Sequence, residues 1–468
     1  MASNGELPAC LPLWLSLCAF GSLQRQKNKE QHADSGSDSR TFNCISVVPV
    51  ANRIVSDLSD GRAGKSASVL LVTIWELGEA AGPLVIAPLS ETLGRWPVIN
   101  VANLLAVLAT LLAAVSQTTR LFILARFLSG LVVTANVLNP AIVGDIFDPD
   151  RRGSPMSLIN VAPLVGGAVG PALGGAIAQT LSWRWTIWIS AILTGAGGLL
   201  LMVLFRETYK VPILRRRRAR QGTMTPDGIS FAASEKPGRS ELLESISRPF
   251  YVFGSSGVLM ALALFGSVVF ANFYNMATTL PDILQDRYGL SPAQTGSALF
   301  CESIGAVTSV VICNVALDRV YARMRASRAD GIGQPEFRLP IVIVGGFTLV
   351  PAVALYGWSA ELRLPLPVML LSVGLVGMTL MLAFLPLSAY VVDAFGLYSA
   401  SAMTGLIVAR CLMGTFLPLA TTPLVERFGY GWGFTVLAAV SLALAPIPVV
   451  LLRYGEQWRQ GCKYTRDD

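Results

Sequence analysis

The chain has 468 residues, 53% of them hydrophobic and 14% charged, with a formal net charge of +7. So little charge cannot cover the surface of a soluble protein of this length. The apolar residues instead come in runs of about 20, the length a helix needs to cross about 30 Å of hydrocarbon, and the cations lie between those runs, which excludes a basic nucleic-acid-binding face.

In chain order, residues 1–41 form an atypical N-terminal segment. The apolar run 9–23 is short for a crossing, and no basic region precedes it, which argues against a signal peptide. A polar stretch with Arg25, Lys27, Lys29 and the single histidine, His32, follows, then a second short apolar stretch at 42–50. The first helix is therefore expected to be atypical or incomplete. Eleven further spans, here the second to the twelfth, are expected near 67–89, 97–116, 121–143, 157–179, 185–205, 252–275, 294–317, 339–358, 365–388, 400–424 and 431–453. The polar stretch 206–250, with Arg215 to Arg218 and then Gly, Ser, Pro and Glu, reads as a solvated basic linker. It separates an N-terminal transmembrane half, 42–205, from a C-terminal half, 251–453, and residues 454–468 form a tail. One set of loops holds Arg95, Arg151, Arg152, the linker, Arg319, Arg323, Arg325, Arg328 and the tail, whereas the opposite set is poor in cations. The rich side is expected to be cytoplasmic, with both termini inside.

Ser59-Asp60-Gly61-Arg62-Ala63-Gly64-Lys65-Ser66 looks like a phosphate-binding loop. Its first glycine is missing, no strand precedes it, and it leads into a membrane helix, so ATP binding is not expected. The seven cysteines form no CxxC pair and support neither a metal site nor a disulfide framework. No cofactor is expected, no nucleophile–base constellation marks an enzyme, and energy must come from an ion gradient.

Two features of the first half recur in the second. The turn after the second span carries Glu91, Gly94 and Arg95, and the eighth span ends on Asp318-Arg319; the fourth span exits at Asp145 and the tenth at Asp393. Repeated halves are a common construction of transporters, and short charged turns can lock two helix bundles by charge pairing and release them. The fifth span carries Gly166, Gly170, Pro171, Gly174 and Gly175, with glycines four apart on one face, which allows close backbone approach; the proline removes a helical hydrogen bond and suggests a hinge or seal.

These motifs, with Arg126 in Ala125-Arg126-Phe127-Leu128-Ser129-Gly130, resemble the major facilitator superfamily. Gly82-Pro83, Ala87-Pro88-Leu89-Ser90-Glu91, Trp183-Arg184-Trp185, Glu207-Thr208-Tyr209 and Pro335-Glu336-Phe337-Arg338 look more narrowly like the fungal twelve-span drug:proton antiporters, over roughly residues 42–460. Trp96 departs from the pattern, standing where that group usually has a second basic residue, and residues 1–41 do not resemble its N-terminus. The resemblance implies an all-α membrane fold of two six-helix halves and a monomeric, proton-coupled exporter of small organic molecules in the plasma membrane. An uptake symporter and a non-transporting sensor are the alternatives. The partners implied are a small organic substrate, protons and the lipid bilayer.

An ionisable group at mid-bilayer costs about 2.5–3.5 kcal/mol on insertion scales, so each needs a reason. Glu76, Glu79, Arg126, Glu302 and Arg410 all fall inside spans and are the candidates for proton coupling, since a carboxyl in an apolar setting can hold a proton. In the implied fold the fourth and seventh spans line the central cavity. Asn136 and Asn139, with Phe270, Asn272, Phe273 and Tyr274, are then candidates for contact with an amphipathic or cationic substrate.

Overall fold

A computed structural model describes residues 44–59, 65–133, 138, 142, 153–205, 207, 239–327 and 333–461. The N-terminal segment, most of the linker, Asp145, Asn136 and Asn139 lie outside these residues, and so does the side chain of Glu91.

A backbone in hydrocarbon must satisfy its own hydrogen bonds, so the apolar runs become helices. A 3-10 turn at Val48–Val50 leads into α1 (Ala51–Ser59), followed by α2 (Lys65–Leu93), α3 (Arg95–Ala114), α4 (Thr119–Leu131), α5 (Gly153–Thr180) and α6 (Trp183–Leu204). The second half comprises α7 (Arg239–Ser255), α8 (Gly257–Asp282) with a π turn at Ile283–Arg287, α9 (Pro292–Ala326), a 3-10 turn at Pro335–Arg338, α10 (Leu339–Glu361), α11 (Leu366–Phe395), α12 (Ser399–Leu444) and α13 (Pro446–Gln460). No strand occurs among the described residues. Eight helical stretches among them are long and apolar enough to cross a membrane. One, Ser399–Gln460, has 62 residues, about 90 Å as a straight helix. It breaks at Gly429, whose φ of 80° and ψ of 171° suit only glycine, and so supplies both the eleventh and the twelfth span.

Several elements run further than expected: α8 continues to Asp282, α11 to Phe395 and α13 to Gln460, where spans were expected to end near 275, 388 and 453. The helix α7 begins inside the stretch read as solvated linker, and Phe253 packs against the position where Gly405 lacks a side chain. The helix α9 continues to Ala326, two turns past Asp318-Arg319. Alanine and arginine are good helix formers, and no glycine or proline interrupts before Gly331, so this pair lies within a helix rather than at its end.

The halves meet where α2 packs on α12 and α5 packs on α9. At the second crossing a Cβ on Gly175 would overlap the Pro292 carbonyl, and one on Gly296 would overlap the Pro171 carbonyl. Pro171 and Gly175 of the glycine–proline run therefore seat against the other half, whereas a Cβ on Gly174 would overlap the Ser46 carbonyl of its own half; Gly166 and Gly170 are buried as well.

Candidate functional site

The helix α2 carries Glu76 and Glu79 on its buried side. Opposite them, α12 presents Arg410 and Cys411, while α8 presents Phe270 and Tyr274. Arg410 Nη2 lies 3.0 Å from Glu79 Oε1, an ion pair between residues 331 apart in sequence and in different halves. Its guanidinium stacks over Phe270, 4.2 Å from the ring centre, with Phe384 of α11 at 5.6 Å. Such stacking offsets part of the cost of keeping a cation out of water. The hydroxyl of Tyr274 donates to Glu76 Oε1 at 2.5 Å, a second bond between the halves. The other oxygen, Glu76 Oε2, is buried without a hydrogen-bond partner. Thr415 adds a third link, its hydroxyl donating to the Thr73 carbonyl at 3.2 Å.

The ligand atoms of Glu76, Glu79 and Cys411 lie within 4.8 Å of one another, a donor set that could hold a metal ion. The positive charge there is already supplied by Arg410, whose Nη2 is also 3.9 Å from Cys411 Sγ. The cluster thus combines two carboxylates, one guanidinium and an aromatic wall, joined across the two halves at mid-span.

The remaining candidates separate. Arg126 donates from Nη2 to the Cys44 carbonyl at 2.7 Å, tying α4 to the chain before α1. Glu302 is buried on α9, with the Ser303 hydroxyl donating to Oε2 at 3.3 Å, apart from the Glu79–Arg410 pair. Phe270, Phe273 and Tyr274 form one aromatic group, with ring centres 5.2–6.3 Å apart. Asn272 does not share their face: its amide donates to the Val268 carbonyl and to Ser441 Oγ of α12. At about 100° per residue, position 272 points almost opposite to 270 and 274.

At the charged end of the N-terminal half, Gly94 has a φ of 102°, which sets the sharp α2–α3 turn. Arg95 is buried and donates from Nη1 to Ser90 Oγ at 2.5 Å. The start of α3 is capped by Glu207, whose carboxylate accepts from the backbone N–H of Arg95 at 2.9 Å and of Trp96 at 3.1 Å. A carboxylate at a helix N-terminus is favoured by the helix dipole. Glu207 was legible only as part of a motif, and nothing local to it announces which helix it caps. In the C-terminal half, Asp393 pairs with Arg338 at 2.5 Å, Arg338 stacks over Tyr321, and Glu336 pairs with buried Arg459 of α13 at 3.3 Å. Asp318 and Arg319 are exposed.

A family model described as Major Facilitator Superfamily matches residues 45–418. The efflux pump radE of Floropilus chiversii is 32% identical over 415 residues, covering 88% of this chain and 77% of that protein. The MFS transporter cpaT of Aspergillus oryzae is 31% identical over 422 residues, covering 89% and 84%. Among solved structures, the human organic anion transporter MFSD10 aligns with a TM-score of 0.65 at 19% identity, covering 91% of this chain and 99% of that one.

Proposed function

The chain belongs to the major facilitator superfamily, and from that premise we propose that it exports small organic molecules in exchange for protons. It is a multi-pass membrane transporter whose two halves rock about a site at mid-span. The observation that carries the reading is the Glu79–Arg410 ion pair beside the Tyr274–Glu76 hydrogen bond, both reaching from one half to the other. Breaking one partner of a buried pair costs about 3–5 kcal/mol, enough to shift a two-state equilibrium strongly. Protonation of Glu79 removes the charge that Arg410 answers, and protonation of Glu76 removes the charge that the Tyr274 hydroxyl serves. Each step loosens the contact between α2 and the α8–α12 side, and deprotonation restores it.

Export is favoured over uptake by the likeness to radE, an efflux pump, and by the glycine–proline run of α5 packed on α9. The aromatic group of Phe270, Phe273, Tyr274 and Phe384 beside two carboxylates suits an amphipathic organic substrate, which fits the efflux of drugs, toxins or secondary metabolites. The distribution of cations puts the linker and tail in the cytoplasm, and the plasma membrane is the setting in which export clears the cell. The chain acts as a monomer in this reading, since each protomer contains the whole site. The test is compound accumulation in cells with and without the protein, over a panel of drugs and metabolites, with and without a protonophore. Lower accumulation of some compounds, abolished by the protonophore, supports the reading; higher accumulation on expression points to uptake.

A further inference from the structure

At the end of the molecule where α1 and α2 begin, a pocket opens between the halves. Asn52, Lys65 and Ser68 line it from one half, and Thr278, Asp282 and Glu426 from the other. Asp282 is half-buried at its wall. The amide of Asn52 donates to Asp282 Oδ1, joining α1 to α8 across the interface. A second bond runs alongside, from Gln285 Nε2 to the Pro49 carbonyl at 3.1 Å.

The pocket continues the face that carries the ion-pair cluster. Tyr274, Thr278 and Asp282 are four residues apart and therefore stack on one side of α8. On α12, Cys411, Thr415, Thr422 and Glu426 fall on a matching row, with Thr422 and Glu426 in the pocket and Cys411 beside Glu76 and Glu79. On α2, Ser68 lines the pocket, Thr73 follows about a turn further on, and Glu76 lies beyond it. Thr73 Oγ1 and Glu76 Oε2 are both buried without partners. The distance along α8 from Asp282 to Tyr274 is about 12 Å. A column of hydroxyls and carboxyls on these three helices thus lies between the pocket and the buried acid Glu76.

We propose that Asp282 is the outer proton-relay residue of this transporter, the carboxyl that takes up protons at this mouth and passes them to Glu76. The proposal rests on the proton-coupled reading above, which puts this mouth on the outer face. A hydronium ion protonates the Asp282 carboxylate; the proton then leaves through water along the hydroxyl column and bonds to the Glu76 carboxylate. Asp282 returns to its carboxylate form and Tyr274 keeps its hydrogen. Several groups set the field at Asp282: Lys65 and Asp286 act on its charge, Asn52 donates to it, Glu426 and Tyr430 share the pocket, and Tyr356 of α10 lies near enough to feel it. Arg287, one turn on, is occupied by Glu361 and stacked on Tyr430. Lys65 therefore supplies the cation that offsets Asp286 and Glu426 at this mouth. In the closed arrangement Asn52 holds the carboxylate against α1, and separation of the halves at this end frees it to collect protons.

The experiment uses the full chain reconstituted in lipid vesicles, without substrate. The outer pH is dropped rapidly and the charge carried by proton uptake is recorded. The original protein is expected to take up protons in a phase that Glu76→Gln removes. Asp282→Asn is expected to slow that phase by about a hundredfold, the low end of what a positioned proton donor contributes, while leaving its amplitude, because Glu76 is still the final acceptor. Asp282→Glu keeps an acid at the mouth and should restore the rate. Asp282→Ser serves as a second removal should the asparagine variant not reach the membrane. Asn52→Ala breaks the cross-interface bond but keeps the acid, and is expected not to slow uptake. An undiminished rate in both removal variants overturns the proposal, as does equal slowing by Asn52→Ala, which would make the bond rather than the acid responsible. Absence of any Glu76-dependent phase in the original protein overturns the proton-coupled reading itself, an outcome distinct from failure at Asp282 alone.

Discussion

Arg410 sits between a carboxylate and two aromatic rings, and its position has a direct consequence for substitution at Glu79. Glu79→Gln keeps the shape and removes the charge, leaving a buried guanidinium without its counter-ion, a loss of about 3–5 kcal/mol. We expect export against a gradient to disappear while the protein still reaches the membrane, measured as compound accumulation together with membrane abundance. Arg410→Lys is not a conservative change here, because an ammonium cannot reproduce the planar stack on Phe270, and export should fall in the same assay. Tyr274→Phe removes a hydrogen bond to a charged group, worth about 1.5–3 kcal/mol, so the export rate should change by at least about tenfold; an unaltered rate would show that the bond to Glu76 does not contribute to the conformational balance. The acids themselves were legible in the sequence, because an ionisable residue inside an apolar run needs a reason. Their partners were not. Arg410 is 331 residues from Glu79, Tyr274 is 198 from Glu76, and no local pattern encodes a pairing made only when two halves fold together.

At the scale of elements, the crossing of α5 with α9 is set by glycines whose absent side chains let the backbones meet. Gly175→Leu or Gly296→Leu should hold these helices apart and abolish export, with some protein still inserted; Gly175→Ala should be impaired as well, since even one Cβ overlaps the Pro292 carbonyl. Normal export from either leucine variant would remove the packing role of this crossing. Glu207 closes the start of α3 through two backbone N–H groups, so Glu207→Ala is expected to lower thermal stability by a capping loss of about 1 kcal/mol, read as a lower unfolding temperature. Most element boundaries could be read from apolar run length, because hydrocarbon thickness dictates it. The extension of α9 past Asp318-Arg319 could not, since polar helix formers look like loop wherever a span is expected to stop. The helix α7 was hidden for the same reason inside a linker that reads as solvated.

Among the described residues, two helix bundles are joined by a few polar bonds and by the crossings of α2 with α12 and α5 with α9, which suits a machine that alternates between two openings. Burying Arg25, Lys27 and Lys29 in lipid would cost several kcal/mol, so the stretch 24–41 is expected to stay in water. A variant with one continuous apolar first helix should be more abundant in the membrane and more active; equal abundance and export from both forms would contradict that expectation. The two-half plan was readable because its apolar runs and polar linker are local features, although the second charged turn proved to lie within α9, whereas the state in which the halves are caught depends on contacts between them. The most direct test of the central claim follows export of a panel compound from vesicles containing the full chain, with and without an imposed proton gradient, for the original protein and for Glu79→Gln. The account predicts uphill export only with the gradient and only with Glu79 present. Export that proceeds equally without the gradient, or equally in Glu79→Gln, would contradict it.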